Sequence, residues 1–306
     1  MRLNPNLLKT IVFIGHRGKE GEPVLHGTGF QFARTWERDG VMGYYRYIVT
    51  AKHNIAEAVD KGHDEVFVRY ESRTQGLQLR YFPTSQWLNH DDGFIDVSVL
   101  LLDDAVDEVG GAVFTSDDFL TTSEVARYDV GVGNEVATIG LFLSHYGEER
   151  NEPVVRFGNI SCMPRERVRS RKKFGAVDGY IIEARSFGGL SGSPVFVDVE
   201  HEPEMHEYSR IRDRDPTIRT IPARRRNHIL GLIHGHWDMQ EVAPPGIKLD
   251  PATRLDGAIN MGMSIVIPAQ HILDTINSDP VTTRQNRLIE ARVQAERDRP
   301  ADQGPA

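Results

Sequence analysis

Cysteine is nearly absent: Cys162 stands alone among 306 residues, so no disulfide can form within the chain. Secreted enzymes of this length more often carry several, which makes a reducing compartment, and hence a cytoplasmic location, the expectation. Long apolar runs are missing as well. The opening MRLNPNLLKTIVFIGHRG offers only Ile11 to Ile14, too short for a signal-peptide core and far from the roughly 20 apolar residues of a membrane span. Basic excess is the third absence. A net charge of -8 repels, on average, both nucleic acid and anionic lipid, so neither is expected as a partner.

Helical periodicity is scarce too, and short β-type runs fill the space. TIVFIG, GTGFQFAR, YYRYIVT, EVFVRY, LQLRYF and IDVSVLLL form one series; EVATIGLF, VVRFGNISCM, GYIIEA, SPVFVDV, HILGLIHG and MGMSIVIP form a second. Two series of six predict an all-β protein of two antiparallel six-stranded β-barrels, since closure removes exposed sheet edges. IPAQHILDTIN predicts a short C-terminal helix. The boundaries read 1–115 for the first barrel, 116–277 for the second and 278–306 for a polar tail, expected as a frayed helix or disorder because only Leu288, Ala291 and Ala295 fall at helical spacing. A charged insertion at 200–227 interrupts the second barrel, and a basic loop from Pro164 is given no function.

The stretch SFGGLSGSPVF, Ser186 to Phe196, holds more small residues than a turn needs. Acyl transfer supplies a reason. Two backbone N–H groups must point at the spot where a carbonyl oxygen becomes an oxyanion, and bulky side chains would obstruct them. Gly189 and Ser191 are the candidate donors, with Gly188, Gly189 and Gly192 providing conformational freedom and Ser191 projecting its hydroxyl. A serine needs a base and an orienting carboxylate. His53 in YIVTAKHNIAE, at the end of a β-type run, is the candidate base. Asp96 in GFIDVSVLLL, at the head of an apolar strand, is the candidate carboxylate.

GTGF at Gly27 to Phe30, VTAKH ending at His53, DVSVL from Asp96, GGLSGSP around Ser191 and GLIHG at Gly231 to Gly235 together resemble the chymotrypsin-type, or trypsin-like, serine peptidases, and their bacterial and intracellular branch most. The resemblance spans roughly residues 10 to 277. It implies a serine endopeptidase with Ser191 as nucleophile, His53 as general base and Asp96 as orienting carboxylate, an oxyanion hole from Gly189 and Ser191, and no cofactor or metal. It also implies a protein or peptide substrate paired as an added β-strand near Ile233 to Gly235. Leu190 stands where zymogen-type members carry Asp, and no I-V-G-G-like start occurs, so activation by a cut N-terminus is not expected. Restraint would fall to the insertion or to a regulatory protein partner. By the same resemblance Arg185 lies at the floor of the substrate pocket with His234 and His236 flanking it, a cationic lining that would favour acidic residues before the scissile bond.

Other readings carry less. HEPEMH from His201 fails as a zinc-protease motif, because its proline breaks the helix and its histidines are five apart. The His234-x-His236 pair fits a strand as well as a metal. G-x-S-x-G hydrolase chemistry would need a glycine where Ser193 stands and a helix where a strand follows. The real alternative is a non-catalytic peptide-binding or scaffold protein on a protease-like fold.

Overall fold

The computed structural model describes residues 1–72, 74–102, 112–170, 175–184, 188–201, 224–238 and 260–298. The protein is mostly β. Strands β1 (Ile11–Arg17), β2 (Pro23–Arg38), β3 (Val41–Thr50), β4 (Glu65–Ser72), β5 (Gly76–Pro83), β6 (Trp87–Asn89) and β7 (Ser98–Leu102) form one antiparallel sheet in the order β5-β4-β1-β2-β3-β7-β6. Side chains alternate across a strand, and here both faces are covered. Ile11 and Phe13 of β1 join one apolar cluster, while Val12 and Ile14 join another that is closed by Ile55 and Ala58 of helix α1 (Lys52–Asp60). Each such fully buried side chain contributes about 2 kcal/mol.

This first sheet curls but has the order of an open sheet, not the closed six-stranded barrel expected. Its two outer strands, β5 and β6, are consecutive in the chain, separated only by the 3-10 turn Thr84–Gln86. Pro83 ends β5 without an N–H to donate, and β6 is three residues long, so little backbone is left to pair across the gap.

The second series forms a closed barrel. Strands β8 (Glu135–Gly140), β9 (Val154–Cys162), β12 (Tyr180–Glu183), β13 (Pro194–His201), β14 (Arg224–Asp238) and β15 (Asn260–Pro268) run in the order β12-β15-β14-β13-β8-β9, and β9 pairs back onto β12. A two-residue hairpin, β10 (Val168–Arg169) with β11 (Ala176–Val177), stands outside it. The cluster containing Phe13, Phe30 and Tyr47 continues into Leu141, Phe196, Ile229 and Ile267, so the sheet and the barrel share one core.

Three more helices complete the described structure. α2 (Thr122–Arg127) precedes the barrel, and α3 (Ala269–Asn277) is the closing helix anticipated. Of the two alternatives for the tail, the helix is the one found, and it is docked rather than frayed: Asp279–Arg297 is helix α4, with Val281, Gln285 and Val293 buried. No helix among the described residues is long and apolar enough to cross a membrane. Most of the charged insertion, 202–223, lies outside the described residues, as do 103–111 and the last residues of the tail.

Candidate active site

His53 stands in the first turn of α1, directly after β3. Ala51, the residue at the helix N-cap, has no side chain able to cap it. The amide of His53, in the first turn, donates to Asp96, whose Oδ1 accepts at 2.8 Å. Register brings Asp96 there. Thr50 of β3 pairs with Ser98 of β7, so the residues just beyond that pair, the start of α1 and Asp96, lie side by side. Asp96 is 0% exposed, held between buried Ile95 and Val97.

The second carboxylate oxygen accepts from the His53 ring, Nδ1 to Oδ2 at 2.6 Å. The same Oδ2 accepts from a second imidazole, His234 Nδ1, at 2.5 Å. Burial opposes ionisation of Asp96; the attraction of His53 and the hydrogen bonds from His234 and His53 outweigh it and hold the carboxyl below the usual carboxylate range. The three groups are also close enough together to surround a metal ion.

His234 lies inside: it is 1% exposed, facing Asp96 on one side and Ser170 on the other, with Nε2 to Oγ at 2.6 Å. A register shift accompanies it, since Ile233 pairs with Val266 but Gly235 pairs with Ile265, which leaves His234 in a bulge of β14. Of the other two residues expected at the pocket, His236 lies on β14 with its side chain outside the described residues, and Arg185 is outside them altogether.

Ser191 sits in the turn before β13. Its carbonyl accepts from the Thr28 amide and from Asn54 Nδ2, both at 2.9 Å, so the residue next to His53 grips the backbone of Ser191. Its hydroxyl lies 3.3 Å from the carbonyl of His234, to which it donates. Two glycines shape this turn: Gly189 at φ +101° and Gly192 at φ +86°. Gly192 donates to the Ile233 carbonyl at 2.7 Å, and Ile233 donates back to that of Ser193 at 2.8 Å, which fastens the turn to β14. Thr28 works from below: its hydroxyl donates to the Gly189 carbonyl at 2.7 Å and accepts from the Leu141 amide at 2.9 Å.

Asp96 thus bonds to both His53 and His234, and the backbone of Ser191 is tied to Asn54, the residue that follows His53. Thr28, Thr50 and Asn54 were not singled out, though all three lie inside or beside the GTGF and VTAKH motifs. Thr50 donates to the Thr28 carbonyl at 2.7 Å and accepts from Asn54 Nδ2 at 3.0 Å. Ser170 had no sequence signal at all. As a whole, a buried carboxylate orients two imidazoles beside two hydroxyls, an arrangement able to take up and return a proton. No protein-family model matches the chain, and no curated protein matches it.

Proposed function

We propose that the protein is a serine endopeptidase of the trypsin-like type, acting through an acyl-enzyme. Ser191 Oγ attacks the scissile carbonyl, and its proton passes to His53 Nε2 and on to the leaving amine. Asp96 fixes His53 with its proton on Nδ1 and stabilises the imidazolium. The amides of Gly189 and Ser191 take the oxyanion. The observation carrying this reading is the double grip of Asp96 on the amide and ring of His53, within a helix whose next residue, Asn54, holds Ser191.

The substrate class follows from β14. Its ladder with β13 begins at Pro194 and Leu232 and Ile233 is bonded to Gly192 and Ser193, whereas its ladder with β15 continues to Asp238, so the residues beyond Ile233 have β13 no longer beside them. That supports an extended peptide as an added strand. A preference for acidic residues rests on Arg185 and His236, since His234 is engaged with Asp96. A peptide-library profile dominated by cleavage after Lys or Arg would dispose of that preference. The reducing, cytoplasmic setting remains part of the proposal.

Ser191 donating to the His234 carbonyl favours a second reading, in which the protein binds peptides without cutting them. A fluorophosphonate probe separates the two. A peptidase incorporates it at Ser191, and Ser191→Ala lowers kcat by roughly a millionfold with the fold retained. A scaffold leaves Ser191 unlabelled.

A further inference from the structure

Ser170 and His234 belong to no step of the mechanism above, yet they meet the geometric test for an activated nucleophile. A hydroxyl stands 2.6 Å from an imidazole Nε2, and that ring stands 2.5 Å from a buried carboxylate through its other nitrogen. We propose that Ser170, His234 and Asp96 form a second nucleophilic array, in which Ser170 accepts an acyl group from a small activated ester.

The tautomer is the required one. With Nδ1–H of His234 donating to the Asp96 carboxylate, its Nε2 lone pair faces the Ser170 hydroxyl, so the imidazole is set as a base. Exposure suits it also. His234 is sealed from solvent, while Ser170 is only half-buried. Its backbone is fixed directly after β10, the amide donating to the Gly175 carbonyl at 3.1 Å. Half-burial admits a small acyl group rather than a peptide strand, which makes an aryl ester the fitting substrate class.

In the step itself Ser170 Oγ bonds to the acyl carbon and the carbon–oxygen bond to the aryl alcohol breaks. The hydroxyl proton goes to His234 Nε2 and then to the departing phenolate. One carboxylate serves both arms, and its single charge compensates one imidazolium; a second cation beside it would be uncompensated in a buried site. The two arms therefore work in alternation.

The array does not depend on Ser191 being a nucleophile, and the test reads the two residues separately. The Ser191→Ala protein is incubated with p-nitrophenyl acetate and each acetyl group is located by tandem mass spectrometry. The expected result is acetylation of Ser170 at least tenfold above the mean of the other serines, and its loss in Ser191→Ala/His234→Gln of unchanged circular dichroism. No enrichment at Ser170 overturns the proposal, as does enrichment that persists in the folded double variant. Should the double variant not fold, the comparison among serines within the Ser191→Ala chain decides. Acetylation of Ser191 in the unmodified protein reports on the peptidase reading alone.

Discussion

At Gly192 an added methyl group would lie 2.2 Å from the Thr28 carbonyl oxygen and 2.5 Å from Thr50 Oγ1, on a backbone at φ +86°. Neither neighbour can retreat, because Thr50 and Thr28 are bonded to each other and to the strands beneath. Gly192→Ala should cost about 3 kcal/mol, from strain and overpacking together, and lower fluorophosphonate labelling of Ser191; thermal melting and labelling rate check the two effects. His26 makes a different kind of prediction. It accepts or donates at His16 Nδ1 (3.0 Å) and meets the Asn54 carbonyl through Nε2 at 3.1 Å. Burial, resisted by the bond to Asn54 and aided by the nearby charges of His16, Lys61 and His53, pushes its pKa down to about 4. An unfolded histidine takes up its proton near pH 6.5, so between there and pH 4 the unfolded chain binds more protons and stability falls as pH falls. The loss should reach about 2 kcal/mol for His26, and His26→Gln should flatten that limb in urea unfolding at pH 7 and pH 5. At this scale the pairing of Asp96 with His53 and the left-handed glycines at 189 and 192 were readable, because each sits in a motif with its own residue pattern. The bond of His234 to Asp96 was not readable, since the register shift beside it leaves no mark in the strand's composition.

Helix α4 is the element that composition concealed. Val281, Leu288, Ile289 and Val293 supply an apolar face, but Gln285 stands in its middle and reads as surface. In the structure Gln285 is a buried joint. Its side-chain amide donates to the Tyr47 hydroxyl at 2.6 Å and to the Ile276 carbonyl at 3.2 Å, while its backbone carbonyl accepts from Tyr45 at 2.8 Å. Gln285→Ala should cost about 2 kcal/mol by stranding the Tyr47 hydroxyl and the Ile276 carbonyl, read as a lowered denaturant midpoint with unchanged slope. The strands were more legible. All six runs of the second series became barrel strands, since each is long enough to carry its own β-type pattern; β6, β10 and β11, at two or three residues, are too short to carry any. Closure of the first sheet was not legible because it depends on backbone pairing across a gap, to which side-chain patterns are blind.

On the scale of the whole molecule, the site lies where the sheet meets the barrel, and one buried arginine helps to fix that junction. Arg69 of β4 reaches the segment between β8 and β9, donating to the carbonyls of Gly147 at 2.5 Å and Glu148 at 3.2 Å and to Asn151 Oδ1 at 2.6 Å. Asn151 returns a bond to the Arg69 carbonyl at 3.0 Å. Arg69→Met keeps the apolar stem but strands these acceptors, at about 3 kcal/mol. Faster trypsin cleavage at Arg150, with other sites unchanged, is the expected sign of a loosened junction. Nothing near Arg69 in the sequence announces this contact, since its partners come some eighty positions later in the chain.

The order in which the parts are made adds a consequence of that junction. During translation His53 and Asp96 emerge with the sheet, Ser191 and His234 much later, and β15, on which the bulge in β14 depends, later again. If the proposed mechanism holds, a half-made chain on the ribosome owns a base without its hydroxyl, and neighbouring nascent chains meet an inert molecule until the barrel shuts.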